Sequence, residues 1–294
     1  MKIHILEELG IPREQFISAA EDHETSWFSD KSEQAIQCDK VEVLVTVKTK
    51  LDRNQLSEFS SLKMIAVAFT GYDSVDLDYC RENAIAVYNV PAYSTNSVAE
   101  LTIGLTINLL REIPKGNDVI RKGGWNLGKA GIELSGKTVG ICGTGEIGIR
   151  TAQIFKVLGC NILGWSKTQR KEFTDLGGIY VDSLNELCEK VDILSIHVPS
   201  NSETKGLIGE EQLKLVGQNG FLVNTARGPV VDESALIEAL QKNVIAGAGI
   251  DVYEVEPVKF DNPLLNMDNI VLTPHIAFKT KEALVRRAEV TVFN

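Results

Sequence analysis

The sequence predicts an α/β protein that contains two doubly wound parallel sheets, and three observations support this prediction. Short apolar runs alternate with amphipathic segments along most of the chain, which is typical of βαβ units. The alternation is interrupted by a long helical pattern and a glycine-containing loop, and then it starts again. The length of 294 residues is that of two ordinary domains.

The N-terminal block forms the smaller of the two predicted domains. Its apolar runs are short and bounded by polar residues, as expected of buried strands: Ile3–Leu6, Val41–Val47, Met64–Phe69 and Ala86–Val90. We place the domain boundary at residue 95, within the stretch Pro91–Asn96. A helix is predicted to follow from Ser97 to Arg111, with Asn96 or Ser97 as its N-cap.

The C-terminal block contains six predicted strands with helical segments between them. They are Thr138–Cys142, Asn161–Gly164, Ile193–Val198, Gly220–Asn224, Ala246–Ile250 and Ile270–Leu272. Six parallel strands with helices on both faces complete a doubly wound sheet. The last segment, Lys279–Asn294, has the pattern of an amphipathic helix that stops without a cap or a glycine, so we expect a chain shortened at its C-terminus.

The composition excludes several classes of protein. Acidic residues outnumber basic residues by 40 to 30, and the net charge of −10 argues against nonspecific binding of nucleic acid. The five cysteines are scattered, so we expect reduced thiols, a cytoplasmic location and neither a disulfide framework nor a metal site. No apolar run reaches the roughly 20 residues of a membrane helix. Glu7 and Glu8 interrupt the apolar run that an N-terminal secretion signal would need.

A glycine-rich turn follows the first strand of the C-terminal block. The segment Gly143–Gly148 has the pattern G-x-G-x-x-G and precedes a predicted helix, Ile147–Leu158. In this pattern the first glycine permits the tight turn, the second lets the backbone approach a pyrophosphate, and the third permits close helix–strand packing. The helix N-terminus offers its N–H groups to the anion. The alternative is a turn that binds nothing, but the spacing of the next apolar run favours a dinucleotide site.

The loop after the second strand indicates which dinucleotide is preferred. A carboxylate usually stands there and binds the ribose 2′-hydroxyl of NAD. This chain instead has Ser166, followed by Lys167 and Arg170. Their donors and positive charge suit a 2′-phosphate, so we predict NADP as the cofactor, with NAD as the second choice. The competing interpretation is a solvated basic loop, because lysine and arginine are common on surfaces.

Three polar segments follow strands of the same predicted sheet and supply the candidate catalytic residues. Arg227 follows one strand, and its planar guanidinium can bind a carboxylate through two hydrogen bonds. His275 follows the last strand, where an imidazole can act as a general acid or base, and Glu256 can hold the protonated ring. Each residue alone has a structural alternative, but the three together predict an acid–base site.

These segments, taken in order, resemble the D-isomer-specific 2-hydroxyacid dehydrogenase family over nearly the whole chain. The matching motifs are Gly71–Asp76, Val98-Ala99-Glu100, the glycine-rich turn, His197-Val198-Pro199, Asn224–Gly228 with Val231-Asp232-Glu233, Asp251–Pro257 and Thr273-Pro274-His275. The resemblance implies a Rossmann dinucleotide-binding domain at residues 96–279. It also implies a smaller flavodoxin-like substrate domain at residues 1–95, completed by residues 280–294.

The resemblance also implies roles for individual residues. Arg227 corresponds to the arginine that binds the substrate carboxylate and polarises its keto oxygen, and His275 with Glu256 to the acid–base pair. Asp251 corresponds to the residue that holds the nicotinamide amide, and Thr70 and Gly71 to the loop whose N–H groups receive the substrate carboxylate. The residues implied around the cofactor are Gly143, Thr144, Gly145, Glu146, Ile147, Ser166, Lys167, Thr168, Arg170, His197, Val198, Pro199, Thr204, Thr225, Ala226 and Asp251.

The chain departs from the family pattern at three sites, which comprise four residues. Glu146 stands where many members carry a basic residue, which removes one side-chain contact to the pyrophosphate. Ser166 stands where many carry an acid, which puts the NAD preference in doubt. Ala277 and Phe278 replace a common Gly-Gly pair, and Phe278 either shapes the substrate pocket or packs against the closing helix.

The resemblance predicts an enzyme that reduces a small 2-keto acid to the D-2-hydroxy acid with hydride from NADPH. It would be similar to glyoxylate/hydroxypyruvate reductases or to D-lactate dehydrogenases, and it would act as a homodimer. One alternative is another reaction on the same scaffold, such as oxidation of formate or phosphite, but the Glu256–His275 pair favours a proton-relay dehydrogenase. A second is a non-catalytic dinucleotide-sensing protein, for which the sequence shows no basic patch or appended tail.

Overall fold

The computed structural model describes residues 1–28, 38–126, 128 and 130–293, and the chain folds into two compact units. The small unit comprises Met1–Ser94 and Lys279–Asn294, and the large unit comprises Thr95–Phe278. The predicted C-terminal helical segment ends at Asn294, which lies outside the described residues. Within the described ranges, none of the helices is long and apolar enough to cross a membrane.

The small unit is built on a five-stranded parallel sheet. Its strands are β1 (Lys2–Ile5), β2 (Glu24–Trp27), β3 (Val43–Thr46), β4 (Met64–Val67) and β5 (Ala86–Asn89). They lie in the order β2-β1-β3-β4-β5, which is the flavodoxin-like order. The sequence predicted four strands here and missed β2, because its residues Glu-Thr-Ser-Trp carry no apolar run and only Trp27 is buried.

In the part of the small unit that the structure describes, four α-helices flank this sheet. They are α1 (Arg13–Ala19), α2 (Arg53–Leu56), α3 (Leu77–Glu82) and α11 (Lys281–Phe293). The C-terminal helix α11 packs on the N-terminal segment, because the buried Arg287 guanidinium donates to the carbonyl of Leu9. A Cβ at Gly10 would lie 3.0 Å from the Leu284 side chain, so the two chain ends are in close contact.

The large unit is built on a seven-stranded parallel sheet. Its strands are β6 (Thr138–Cys142), β7 (Asn161–Trp165), β8 (Ile179–Tyr180), β9 (Ile193–Ile196), β10 (Phe221–Asn224), β11 (Gly247–Ile250) and β12 (Ile270–Leu272). Their order, β12-β11-β10-β9-β6-β7-β8, is that of a Rossmann fold with one added strand. The prediction of six strands is wrong by one, because the edge strand β8 has only two residues and Ile179 is 64% exposed.

Seven helices of the large unit are described. They are α4 (Thr95–Arg111), α5 (Ile113–Arg121), α6 (Glu146–Val157), α7 (Lys171–Asp175), α8 (Leu184–Lys190), α9 (Glu210–Val216) and α10 (Glu233–Gln241). The predicted cap of α4 is wrong, since this helix begins at Thr95 and contains both Asn96 and Ser97. Asn96 accepts a hydrogen bond from the Arg150 guanidinium at 2.9 Å, while Ser97 is buried.

Apolar side chains cover both faces of the large sheet. The strands β9 and β10 are buried at every residue, which explains why they read as continuous apolar runs. Because all seven strands are parallel, their carboxyl ends meet at one edge of the sheet. Ligands of open α/β sheets bind outside this edge, so the loops that follow the strands form the candidate site.

Candidate active site

The glycine-rich turn joins β6 to α6 and has the form of an anion cradle. A Cβ at Gly143, which has φ +100°, would lie 2.8 Å from the backbone of His197 and Val198, and one at Gly148 would lie 2.0 Å from the Gly143 carbonyl. A Cβ at Gly145, the N-cap of α6, would have no described atom within 4 Å. Packing therefore requires glycine at 143 and 148. Gly145 leaves the helix N-terminus open to a ligand, which fits a dinucleotide pyrophosphate.

A tyrosine that sequence analysis missed connects the glycine-rich turn to the basic loop. The Tyr180 hydroxyl accepts from the backbone N–H of Arg170 at 2.9 Å and lies 2.6 Å from the hydroxyl of the buried Thr144. The Tyr180 ring packs on Phe173, with ring centroids 4.8 Å apart. One side chain thus fixes two segments of the predicted cofactor site. It lies on β8, the strand that left no sequence pattern.

The basic loop itself is largely solvent-exposed. Ser166 is half-buried, whereas Lys167, Thr168 and Arg170 are exposed. The Lys167 ammonium donates to both carboxylate oxygens of Glu203, at 2.8 and 3.2 Å. The loop therefore presents cations at the end of β7, and one of them is already in contact with an acid.

The segment after β9 contributes a neutral histidine. The predicted strand ran to Val198, but β9 ends at Ile196, so His197 begins the loop. Its backbone N–H donates to the Cys142 carbonyl at 2.7 Å, and its Nε2 lies 2.8 Å from the Ser195 hydroxyl. Burial lowers the pKa of His197 to about 3, so the ring carries no charge near neutral pH.

Two of the predicted cofactor residues use their hydroxyls within the protein. The Thr204 hydroxyl donates to the Pro199 carbonyl at 2.6 Å and thereby closes its own loop. The hydroxyl of the buried Thr225 lies 2.8 Å from that of Thr102 on α4. These contacts position the loops after β9 and β10, and any contact to a cofactor remains a prediction.

Arg227 follows β10 on a turn that is fixed from both sides. Asn224 accepts from the Ala226 N–H at 3.0 Å and donates to the Arg227 carbonyl at 2.9 Å. A Cβ at Gly228 would lie 1.8 Å from the Tyr253 carbonyl, so only glycine fits there. The close approach joins the arginine turn to the loop that carries Glu256. Sequence analysis noted Arg227 but assigned no role to Asn224 or Gly228.

His275 and Glu256 form an ion pair or a charge-assisted hydrogen bond at the end of β12. The Nδ1 atom of His275 lies 2.6 Å from one carboxylate oxygen of Glu256, and the other oxygen accepts from the Tyr253 N–H at 3.1 Å. His275 has φ +51°, and its ring meets that of Phe278 edge-on at 5.9 Å. If Nδ1–H donates to the carboxylate, Nε2 is the ring nitrogen that can gain or lose a proton.

Asp251 anchors the loop that carries His275. Its carboxylate is fully buried and accepts from the Thr273 hydroxyl at 2.6 Å and from the backbone N–H groups of Ile276 at 2.8 Å and Ala277 at 2.9 Å. Burial raises the pKa of Asp251, and the three donors offset only part of this shift. The sequence suggested a contact to the cofactor amide at this position, which stays a prediction. The structure adds an anchoring role that no sequence pattern indicated.

The predicted substrate-carboxylate loop lies in the small unit, after β4. The Thr70 hydroxyl donates to the Val90 carbonyl at 3.1 Å, and the Asn89 amide donates to the Thr70 carbonyl at 2.7 Å. The Lys48 ammonium lies 5.5 Å from the centre of the Phe69 ring. The loop of Thr70 and Gly71 is therefore held at the carboxyl edge of the five-stranded sheet, where ligands of such sheets bind.

Comparison with known proteins identifies the family that the chain resembles. The family profile described as "D-isomer specific 2-hydroxyacid dehydrogenase, NAD binding domain" matches residues 103–277. Glyoxylate reductase from Thermofilum pendens is 39% identical over 262 residues, which cover 87% of this chain and 77% of that protein. D-3-phosphoglycerate dehydrogenase from Methanocaldococcus jannaschii is 41% identical over 82% of this chain, and the chain spans about half of that protein, 46%.

Solved structures give the same result for the fold. D-lactate dehydrogenase from Aquifex aeolicus, complexed with NAD and lactic acid, has a TM-score of 0.89 at 32% identity, covering 99% of this chain and 93% of that one. An NADPH-dependent glyoxylate/hydroxypyruvate reductase from Sinorhizobium meliloti, in complex with NADP and malonate, has a TM-score of 0.87 at 30% identity, covering 99% and 91%. These matches support a nicotinamide dinucleotide as the ligand of the large unit without distinguishing NAD from NADP.

Proposed function

Since the chain belongs to the D-isomer specific 2-hydroxyacid dehydrogenase family, we propose that it reduces a small 2-keto acid to the D-2-hydroxy acid. The observation that carries this proposal is the 2.6 Å contact between His275 and Glu256, on a loop held by the buried Asp251. This arrangement suits a proton relay rather than a simple binding site.

The proposed division of labour follows from the chemistry of each side chain. The Arg227 guanidinium binds the substrate carboxylate through two hydrogen bonds and stabilises negative charge that develops on the keto oxygen. His275 donates a proton from Nε2 to that oxygen, and Glu256 stabilises the imidazolium before transfer. A bound nicotinamide dinucleotide supplies the hydride.

We propose NADPH as the preferred dinucleotide, held by the glycine-rich turn and the loop after β7. Ser166 offers a hydroxyl in place of the usual acid, and Lys167 and Arg170 are the cations of that loop. Each charge-assisted hydrogen bond to a 2′-phosphate contributes about 1.5–3 kcal/mol before desolvation is counted. Steady-state assays of glyoxylate, hydroxypyruvate and pyruvate, with NADPH and NADH in parallel, test the substrate class and the cofactor together.

A homodimer is part of the proposal. Three large apolar side chains on α5 and the loop after it are exposed, with Ile113 at 47%, Ile120 at 56% and Trp125 at 89%. Ile113 and Ile120 are seven residues apart and lie on one face of α5, and an exposed apolar face is typical of an interface with another subunit. Sedimentation at several protein concentrations, with Trp125→Ser as the variant, tests this assembly, and a monomer at micromolar concentration contradicts it.

The decisive experiment compares a keto acid with its methyl ester. We expect the parent to prefer the acid strongly and Arg227→Ala to lose most of that preference, because the guanidinium recognises the carboxylate. We expect His275→Ala to lower kcat by about 10²- to 10⁴-fold while dinucleotide binding changes much less. A parent that reduces the ester as well as the acid contradicts the substrate class. A parent that binds dinucleotide and reduces no keto acid instead supports the sensing alternative.

A further inference from the structure

One contact in the large unit joins two loops on opposite sides of the glycine-rich turn. Strand β6 lies between β7 and β9 in the sheet, so the loops that follow β7 and β9 flank the turn that follows β6. Lys167 is in the first of these loops and Glu203 in the second, and the ammonium contacts both carboxylate oxygens, at 2.8 and 3.2 Å. The ion pair therefore connects the loops after β7 and β9 at the carboxyl ends of the strands, beside the turn that is proposed to bind the pyrophosphate.

The Glu203 backbone is held in place by its own loop. The backbone N–H groups of Glu203 and Thr204 both donate to the Asn201 side chain, at 2.9 and 3.1 Å. The Asn201 N–H donates back to the Thr204 hydroxyl at 2.9 Å, and that hydroxyl donates to the Pro199 carbonyl. The carboxylate thus extends from a fixed turn towards Lys167. The lysine in turn lowers the pKa of Glu203, which keeps it ionised.

The position of this pair gives it a consequence for cofactor choice. The loop after the second strand of a Rossmann sheet meets the ribose 2′ position, where Lys167 is one of two nearby cations. A carboxylate in contact with that lysine competes with a 2′-phosphate for the ammonium and adds a like charge near the phosphate. NAD has only a hydroxyl there and does not meet this competition.

We propose that Glu203 is a specificity-determining residue for the dinucleotide: by holding Lys167, it limits the preference of this chain for a 2′-phosphate. The inference rests on the proposed binding of a nicotinamide dinucleotide by the large unit. It does not depend on whether the parent prefers NADPH or NADH, because it concerns the change that removal of the carboxylate causes.

The test measures binding of two nucleotides that differ only in the 2′-phosphate. Calorimetric titration of the full chain with 2′,5′-ADP and with 5′-AMP gives the ratio of their Kd values, independently of turnover. We expect Glu203→Gln to tighten binding of 2′,5′-ADP by about 2- to 5-fold, as expected for release of an exposed ion pair, and to change 5′-AMP by less than twofold. The ratio of kcat/KM for NADPH over NADH rises in parallel.

Two further variants identify the route of the effect. In a Lys167→Ala background, Glu203→Gln should change the ratio by less than twofold, because no ammonium remains to be released. Glu238→Gln, on α10, removes a carboxylate from another exposed ion pair, the one with Lys242, and serves as the control for the loss of one surface charge. Thermal unfolding of each variant checks that the surface substitutions leave the fold intact.

Each outcome decides the inference. An unchanged ratio in Glu203→Gln, or the full gain in the Lys167→Ala background, overturns it while nucleotide binding and the proposed function stand. A gain of equal size in Glu238→Gln also overturns it, since the effect is then general charge. Absence of all nucleotide and dinucleotide binding to the parent overturns the proposed function and this inference with it.

Discussion

Two carboxylates, Asp251 in the large unit and Glu7 in the small unit, each hold a loop at the carboxyl ends of a parallel sheet. The pKa of Asp251 is raised, whereas that of Glu7 is lowered. In the large unit Asp251 accepts from one hydroxyl and two backbone N–H groups of the His275 loop. In the small unit one oxygen of Glu7 accepts from the Thr46 hydroxyl at 3.0 Å and from the N–H groups of Val47 at 3.0 Å and Lys48 at 2.7 Å. The same oxygen also accepts from the Thr49 N–H at 2.5 Å, so Glu7 has four donors on one oxygen, whereas Asp251 has three donors on two oxygens.

The two carboxyl groups differ in their access to solvent. Burial raises the pKa of both carboxyls, but Asp251 is completely enclosed whereas Glu7 is half-buried. At Glu7 the bonds donated by the loop after β3 outweigh burial and lower the pKa, while at Asp251 they do not. At both carboxyls burial raises the pKa and hydrogen bonds lower it, and the balance of these two effects sets the direction of the shift.

Among the variants of the loop anchors, the largest fall in activity is expected from Asp251→Asn. This substitution removes the charge and turns an NH₂ group towards N–H donors. We expect kcat to fall by about 100-fold, because a displaced His275 loop misplaces the proton donor. Hydrogen exchange should show loss of protection at the Ile276 and Ala277 amides. Asp261→Asn, an exposed substitution, is the matched control. Unchanged protection at both amides contradicts the anchoring role.

The corresponding change in the small unit is Glu7→Gln. An amide oxygen can still accept from the loop, so only the charge-assisted part is lost, about 1–2 kcal/mol. We expect about tenfold faster exchange at the Val47 and Lys48 amides. Glu8→Gln, an exposed neighbour, is the control for the loss of one charge. Exchange as slow as in the parent would mean that the charge of Glu7 does not hold this loop.

A neutral anchor provides the reference for both carboxylates. Tyr180→Phe removes the hydroxyl that joins Thr144 to the Arg170 backbone without changing any charge. We expect KM for the dinucleotide to rise about threefold with kcat unchanged, as for loss of a neutral hydrogen bond in a binding loop. Tyr88→Phe, at an exposed tyrosine of β5, should leave both constants as they are. A fall in kcat in Tyr180→Phe would place this side chain closer to the chemistry than its contacts indicate.

The smallest expected effect is on the pH dependence of unfolding. Glu7 has a pKa below its ordinary value of 4.5, so its stabilisation is present above that pH and is lost as the pH falls through the folded pKa. Asp251 has a pKa above its ordinary value of 3.8, so its ionisation costs stability at neutral pH and the cost is relieved in acid. Urea unfolding between pH 3.5 and 6 should show a shallower acid loss in Glu7→Gln and a steeper one in Asp251→Asn. Slopes that change in the same direction contradict the opposition of the two anchors.

Much of this architecture could be predicted from local sequence, and the parts that could not share a physical cause. The strands β6 and β12 begin and end where their apolar runs do. The glycine-rich turn could be predicted because its three glycines lie within six consecutive residues. Glu256 and His275 could be paired because both follow strands of one sheet. An apolar run therefore marks a strand that is almost fully buried, such as β6, and also the half-buried strand β12.

The anchors depend instead on which distant loops meet. Glu7 binds a loop about 40 residues later in the chain, and Asp251 binds one about 25 residues later. Neither carboxyl stands out from other acids at a strand end, and the two-residue strand that carries Tyr180 is shorter than any periodic pattern. Contacts that arise only when strands have paired leave no mark on the spacing of the residues that make them.

The positions of the site segments along the chain also set the order in which they are synthesised. The glycine-rich turn and the basic loop follow strands near the middle of the chain. His275 follows β12, which is the last strand in the chain and an edge strand of the sheet. A nascent large unit that has not yet added residues 270–277 lacks all three donors to the buried Asp251 carboxylate. The glycine-rich turn is therefore translated well before the loop of His275, and the Asp251 carboxylate gains its three donors only when the last strand and its loop have been added.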